Sequence, residues 1–88
     1  MRVTWSDTAL DELMAIIDYV EAFDQLAAYR LAGRLLMCAQ SLVQFPNRGT
    51  LLSDGRRQMS IVYPYLIRYR VVTDRVEIDS VRHGARAD

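Results

Sequence analysis

Apolar positions change their period twice along this chain, and each change predicts a different kind of element. Val3-Thr4-Trp5 alternates, as a short strand does. From there Ala9, Leu10, Leu13, Ile16, Ile17 and Val20 recur every three or four residues. That spacing makes one stripe of an α-helix and leaves Asp11, Glu12, Asp18 and Glu21 on the opposite, solvated face. Ser6 or Asp7 stands where a side-chain oxygen accepts from the unpaired N–H groups of the first turn. A second stripe, Ala27, Ala28, Leu31, Leu35, Cys38, Ala39 and Leu42, follows Asp24, which is placed to cap it. Only the segment Glu21 to Asp24 separates the two patterns, so the helices should form an antiparallel hairpin.

Phe45-Pro46 ends the helical region, because proline lacks an N–H and disfavours helical geometry in the residue before it. Asn47-Arg48-Gly49-Thr50 reads as a turn, and Leu51 to Gly55 as a loop or weak strand. Period-2 runs then predict strands at about Gln58–Val62, Leu66–Val72 and Val76–Val81. The short connections Tyr63-Pro64-Tyr65 and Thr73-Asp74-Arg75 force antiparallel neighbours. In the middle run Tyr65, Ile67, Tyr69 and Val71 share the face expected to pack on the helices. Leu66, Arg68, Arg70 and Val72 share the other. The expected order is β-α-α-β-β-β, an α+β fold with an N-terminal helix hairpin packed on a small antiparallel sheet, one domain over residues 1–88.

Composition adds three constraints. The 88 residues are 51% hydrophobic and 25% charged, enough for one thin core that gains from a stabilising partner. No apolar run approaches the roughly 18–20 residues that cross a bilayer, and no signal-peptide core follows Met1, so no membrane association is expected. One cysteine makes no intrachain disulfide. Cys38 therefore reads as a small buried residue in a reducing cytoplasm, with a catalytic thiol as the alternative.

Zero net charge hides an asymmetry. Residues 1–24 hold Arg2 against Asp7, Asp11, Glu12, Asp18, Glu21 and Asp24, a net −5; the rest hold ten arginines against five acids, a net +5. One acidic helix surface and one basic sheet surface follow. All the cations are arginine, which a GC-rich genome or a preference for bidentate anion contacts both explain.

Most catalytic chemistry lacks its residues. A single histidine and a single cysteine make no multi-His site and no zinc ribbon, so no metal ligand set is expected. The four glycines are isolated and form no nucleotide-binding loop, and no cofactor is expected. What remains is basic and aromatic: Arg57, Arg68, Arg70, Arg82, His83 and Arg86, with Tyr63, Tyr65 and Tyr69. Arginines clamp phosphates, aromatics stack bases, and a histidine moves protons near neutral pH. The plainer readings are a solvated strand face on which Arg68 and Arg70 pair with Glu77 and Asp79, tyrosines that pack, and a tail histidine without a role.

Short motifs then recur in a fixed order: Val3-x-Trp5-Ser6 with Ala9 and Leu13, Asp18-Tyr19-Val20, Ala28 and Leu31, and Leu42-x-x-Phe45-Pro46-x-x-Gly49. They continue with Gly55-x-Arg57, Tyr63-Pro64-Tyr65-x-Ile67-x-Tyr69-Arg70-Val71, and Val81-x-His83-Gly84-Ala85-Arg86. In this the chain resembles the RelE/ParE superfamily of toxins from type II toxin–antitoxin pairs. The resemblance implies a helix hairpin against an antiparallel sheet. It also implies a small cognate antitoxin, ParD-like or RelB-like, with a DNA-binding, often ribbon-helix-helix, N-terminal domain. That antitoxin's C-terminal segment should fold onto the toxin, and operator DNA would be reached only through it.

Within the superfamily, RelE-like members cleave messenger RNA on the ribosome, and ParE-like members poison DNA gyrase. The ending His83-Gly84-Ala85-Arg86 is similar to the ParE-like branch. The arginine that RelE-like nucleases place before the middle strand's hydrophobic stretch is Leu66 here, and their lysines are missing. The resemblance thus implies a gyrase inhibitor that acts by binding, with Arg57, Arg68, Arg70, His83 and Arg86 as the target-facing set and no catalytic residue. Two alternatives stay open. One is a ribosome-dependent mRNA interferase using Arg68, Arg70, His83 and Arg86. The other is a weakened toxin whose main role is antitoxin binding and operon autoregulation.

Overall fold

The computed structural model describes residues 1–60 and 62–84. Among them the chain runs β1 (Arg2–Trp5), α1 (Asp7–Glu21), α2 (Gln25–Ser41), β2 (Thr50–Leu51), β3 (Arg57–Met59), β4 (Tyr65–Val72) and β5 (Arg75–His83). The expected α+β fold stands: the two helices form a hairpin against one face of the sheet. Both expected caps form. Ser6 Oγ accepts from Ala9 N–H at 3.0 Å and Asp24 Oδ1 from Ala27 N–H at 3.0 Å.

One expectation about the sheet needs correction. The sheet is mixed, not antiparallel: in the strand order β1-β5-β4-β3-β2, β1 runs parallel to β5. Short loops fix β4 and β5 as antiparallel neighbours, but β1 leaves into the helix hairpin and returns to the sheet by tertiary docking. Its register sets Val3 beside Val76 and Trp5 beside Ile78, so the apolar pairs lie under the helices. The third-from-last strand is also shorter than expected, ending at Met59, and the weak strand after the helices is Thr50–Leu51.

Ser6 joins these layers. Its N–H donates to Ile78 O at 2.9 Å, which continues the β1–β5 pairing for one more bond. Its hydroxyl donates to Asp79 O at 3.2 Å while capping α1. Ser6→Ala removes the cap and the hydroxyl's bond to Asp79 O, keeps the backbone bond to Ile78 O, and is expected to cost about 1–2 kcal/mol, readable in urea unfolding.

The core gathers Ala9 and Leu13 of α1, Leu35, Cys38, Ala39 and Leu42 of α2, and Met59, Ile67, Tyr69, Val76, Ile78 and Val81 of the sheet. Val81 would face outward if β5 alternated regularly after Ile78. A β-bulge prevents this. Arg68 lies opposite Ser80, yet Tyr69 lies opposite Ile78, so Asp79 is an extra residue on β5. Beyond it every side chain of β5 changes face.

Burial pushes the Cys38 thiol up from its ordinary value, opposed by the positive charge of Arg48. The sulfur is a core group, so iodoacetamide at pH 8 is expected to label native protein slowly and urea-unfolded protein quickly, as followed by mass spectrometry.

Candidate functional site

The bulge at Asp79 decides which cations share a surface. Paired residues of neighbouring strands point to one face of the sheet. Arg68 faces Gln58 on one side and Ser80 on the other, and Arg70 faces Glu77; Leu66 faces Arg82, and Val72 faces Arg75, which in turn faces Arg2. By this register these side chains leave the sheet on its open face, opposite the helices, although Arg82 also reaches Glu12 of α1 at the edge of β5. Tyr65 pairs with His83 and Ile67 with Val81, on the helix side. The rings of Tyr65 and His83 meet edge to face with centroids 5.6 Å apart. Together with Ala15, Ile16 and Tyr19 of α1 they line a cavity of about 350 Å³.

The residues singled out from the sequence are therefore not one cluster. Arg68 and Arg70 share the open face, Arg82 joins them, and His83 lies on the other side of the sheet. Arg57 pairs with Tyr69 on the helix side. Its Nη1 donates to Gly49 O at 2.9 Å and Asn47 O at 3.3 Å, so it clamps the turn that follows α2. Arg86 lies outside the described residues.

The tyrosines divide as well. Tyr69 is fully buried, and its hydroxyl donates to Pro46 O at 2.8 Å and accepts from Gly49 N–H at 2.8 Å. Tyr65 is half-buried. Tyr63 is 84% exposed, against the expectation that the tyrosines pack.

The open face is a set of guanidinium groups held by short-range partners. Arg68 Nε donates to Gln58 Oε1 at 2.8 Å. Arg70 Nε donates to Asp79 Oδ2 at 3.2 Å, the carboxylate that the bulge supplies. The expected pairing of Arg70 with Asp79 forms, whereas Glu77 lies 3.8 Å from Arg75 Nη2. By register the face carries Arg2, Arg68, Arg70, Arg75 and Arg82, with Glu77 and Asp79 among them, a surface of net positive charge. A guanidinium has five donors in a planar fork, so one carboxylate contact such as that of Arg70 leaves the group able to receive an anionic target.

Glu12 departs from its expected place on the solvated face of α1. Its Oε1 accepts from Val81 N–H at 3.1 Å and its Oε2 lies 3.3 Å from Arg82 Nε. Periodicity alone could not find this, because the partner is a backbone group exposed only where β1 ends. A second set of exposed side chains lies on the helix hairpin. Leu26, Tyr29, Leu36 and Met37 sit off the core stripe of α2 and are 49–76% exposed, as are Tyr19 at 62% and Phe23 at 76% beside the hairpin turn. Apolar groups of that size on a small protein mark a surface that something covers. Among the described residues no group of histidine, cysteine and carboxylate side chains could hold a metal ion, and no helix is long and apolar enough to cross a membrane.

The model of the family described as "ParE toxin of type II toxin-antitoxin system, parDE" matches residues 3–88. The chain is 45% identical over 85 residues to the protein named Toxin RelE2 of Caulobacter vibrioides, a match that covers 97% of both. It is 33% identical to Putative toxin Y4kP of Sinorhizobium fredii, over 94% of this chain and 88% of that one. A solved chain of the chromosomal ParDE TA system from P. aeruginosa superposes with a TM-score of 0.84 at 20% identity, covering 94% of this chain and 95% of that one, and thus has the same fold.

Proposed function

Because this chain belongs to the ParE toxin family of type II toxin–antitoxin systems, we propose that it arrests growth by binding DNA gyrase, with no bond-breaking chemistry of its own. The observation that carries this reading is the separation made by the bulge. A nuclease needs its proton-transfer group and its phosphate clamp within hydrogen-bond reach of one scissile phosphate. Here the His83 imidazole is on the helix side of the sheet, against Tyr65, while Arg68 and Arg70 are on the open side. Leu66 stands where the resemblance to RelE-like nucleases implies an arginine. The arginine face is a binding surface, and Arg68 and Arg70 are its centre.

In the cytoplasm of the resting cell the toxin is held by a cognate antitoxin. The exposed apolar groups of the helix hairpin, Leu26, Tyr29 and Met37 foremost, suit an amphipathic segment of that partner. The two activities would then use opposite sides of the molecule.

Purified toxin added to gyrase and plasmid is expected to inhibit supercoiling and to raise the level of cleaved DNA complexes. Unchanged supercoiling and unchanged cleavage would end the gyrase reading. A second reading has its own support: the Caulobacter relative at 45% identity carries a RelE name. If this chain were an mRNA interferase of the RelE kind, transcript ends mapped after induction would cluster at the ribosomal A site. The two assays run side by side separate the readings.

A further inference from the structure

The arginines of the open face form a row. Register sorts the face into ranks along β4, each two residues from the next. Val72 lies in the first with Arg75 and Arg2, Arg70 in the second, Arg68 in the third, and Leu66 with Arg82 in the last. Every rank carries an arginine, the last of them only because the extra residue at Asp79 turns Arg82 to this side. Alternate residues of a strand are about 6.8 Å apart, so the row runs for about 20 Å.

Two hydroxyls lie in the same face. Ser80 stands opposite Arg68, and Thr4 opposite Glu77, itself the neighbour of Arg70. Ser80 is only 6% exposed. Among the described residues, Thr4 Oγ1 and Ser80 Oγ are the buried side-chain polar atoms without a hydrogen-bond partner. Folded proteins generally satisfy such groups, because a buried donor left unmade costs free energy. A hydroxyl beside a guanidinium supplies two kinds of donor to one phosphate. Among the described residues that register places on this face, none is aromatic: Trp5, Tyr65 and Tyr69 fall on the helix side. Single-stranded nucleic acid is held by stacking on aromatic rings as well as by charge, and this face offers charge alone.

We infer that the open face binds the sugar–phosphate backbone of duplex DNA directly, with Arg68 and Arg70 on phosphates and the Ser80 hydroxyl donating to the phosphate that Arg68 holds. A duplex carries one negative charge per about 1.7 Å of its axis, an unbroken row of anions. The surface of a folded protein intersperses both signs. A row of arginines without a gap complements the first of these and not the second. Phosphate contacts read no bases, so binding is independent of sequence. The exposed acids of α1, Asp11, Asp18 and Glu21, lie on the far side of the molecule, so a polyanion is drawn to one face and repelled by the other. The inference rests on the proposed gyrase reading for where the duplex is met: it is the segment that gyrase holds, and the toxin touches the DNA as well as the enzyme.

Fluorescence anisotropy of the purified toxin with a short labelled duplex of arbitrary sequence tests the surface, beside a supercoiling assay on the same preparation. A dissociation constant of about 10–100 µM is expected at about 0.1 M salt, with log K falling against log salt at a slope of about −3. Arg68→Gln with Arg70→Gln should flatten that slope by about two, and Arg57→Gln, on the helix side, should leave it. Ser80→Ala should weaken binding about three- to tenfold at an unchanged slope. Its thermal stability should hold or rise, because the oxygen removed has no partner, a split that a merely structural serine would not show. An unchanged slope in the double variant overturns the DNA surface. So does a Ser80→Ala variant that binds as the wild type does, or a single strand bound more tightly than the duplex. Poly-glutamate that displaces the duplex as well as unlabelled duplex does overturns it too, and assigns the face to an acidic protein. Supercoiling inhibited by a toxin that binds no duplex even at low salt overturns the DNA surface and leaves the gyrase reading standing. Duplex bound with supercoiling untouched ends the gyrase reading and supports the DNA surface.

Discussion

Tyr69→Phe is expected to lower the stability of the isolated protein by about 2 kcal/mol, a fall of about 10 °C in Tm for a chain of this length. The ring would stay, and with it nearly all the buried apolar area. What goes is one oxygen that is both donor and acceptor: Pro46 O and Gly49 N–H lose their partner at once, in a site with no exposure. Gly49 has little room to adjust. A Cβ there would lie 2.9 Å from Gln58 O and 3.0 Å from the Tyr69 hydroxyl, so this backbone is pressed against β3 and β4. Arg57 holds the same turn from the other side through the Gly49 carbonyl. Thermal unfolding followed by circular dichroism gives the number. A loss under about 0.5 kcal/mol would mean that the turn relaxes and the knot does not fasten α2 to the sheet.

The double variant Arg68→Gln, Arg70→Gln is expected to abolish growth arrest while the protein stays folded and antitoxin-bound. Glutamine keeps a polar stem on the strand, and the partners lost, Gln58 and Asp79, are partly exposed, so the stability cost stays near 1 kcal/mol. Two charge-assisted contacts to an anionic target are worth far more, and target affinity should fall about 100-fold. Antitoxin affinity should change little, because Leu26, Tyr29 and Met37 lie on the far side of the sheet. Arg57→Gln is the contrasting variant: it should weaken the fold by about 1 kcal/mol through the turn and leave target affinity alone. Equal toxicity of the double variant and the wild type would remove Arg68 and Arg70 from the binding surface.

The motifs that carried the family resemblance turn out to have mainly structural reasons. Pro46 and Gly49 in the turn after α2, Arg57 on β3 and Tyr69 on β4 meet in one junction. Ser6 after Val3-x-Trp5 caps α1 and bonds β5. Gly84 lies so close to Pro64 O that a Cβ would sit 2.9 Å from it, so part of the His83-Gly84 ending serves the close of the sheet. A family pattern read along the chain therefore located the fold well, and it mixed residues that fasten the sheet with residues that lie on its open face. The same residue types, arginine and tyrosine, do both jobs, and only their partners tell them apart.

The sequence by itself determined the helices, their caps, the hairpin between them and the period-2 strands, because each depends on neighbours within a few residues. It also determined that Arg68 and Arg70 share a face, since they lie two residues apart on one strand and the extra residue belongs to its partner. The tertiary structure decided the rest. The parallel seat of β1 depends on docking across the helix hairpin. Glu12 finds its partner only because β1 stops short of the end of β5. Above all, the extra residue at Asp79 moved Val81 into the core, brought Arg82 to the arginine face and sent His83 to the other side. A single inserted residue shifts every later side chain by one face, and only pairing between strands reveals where it lies.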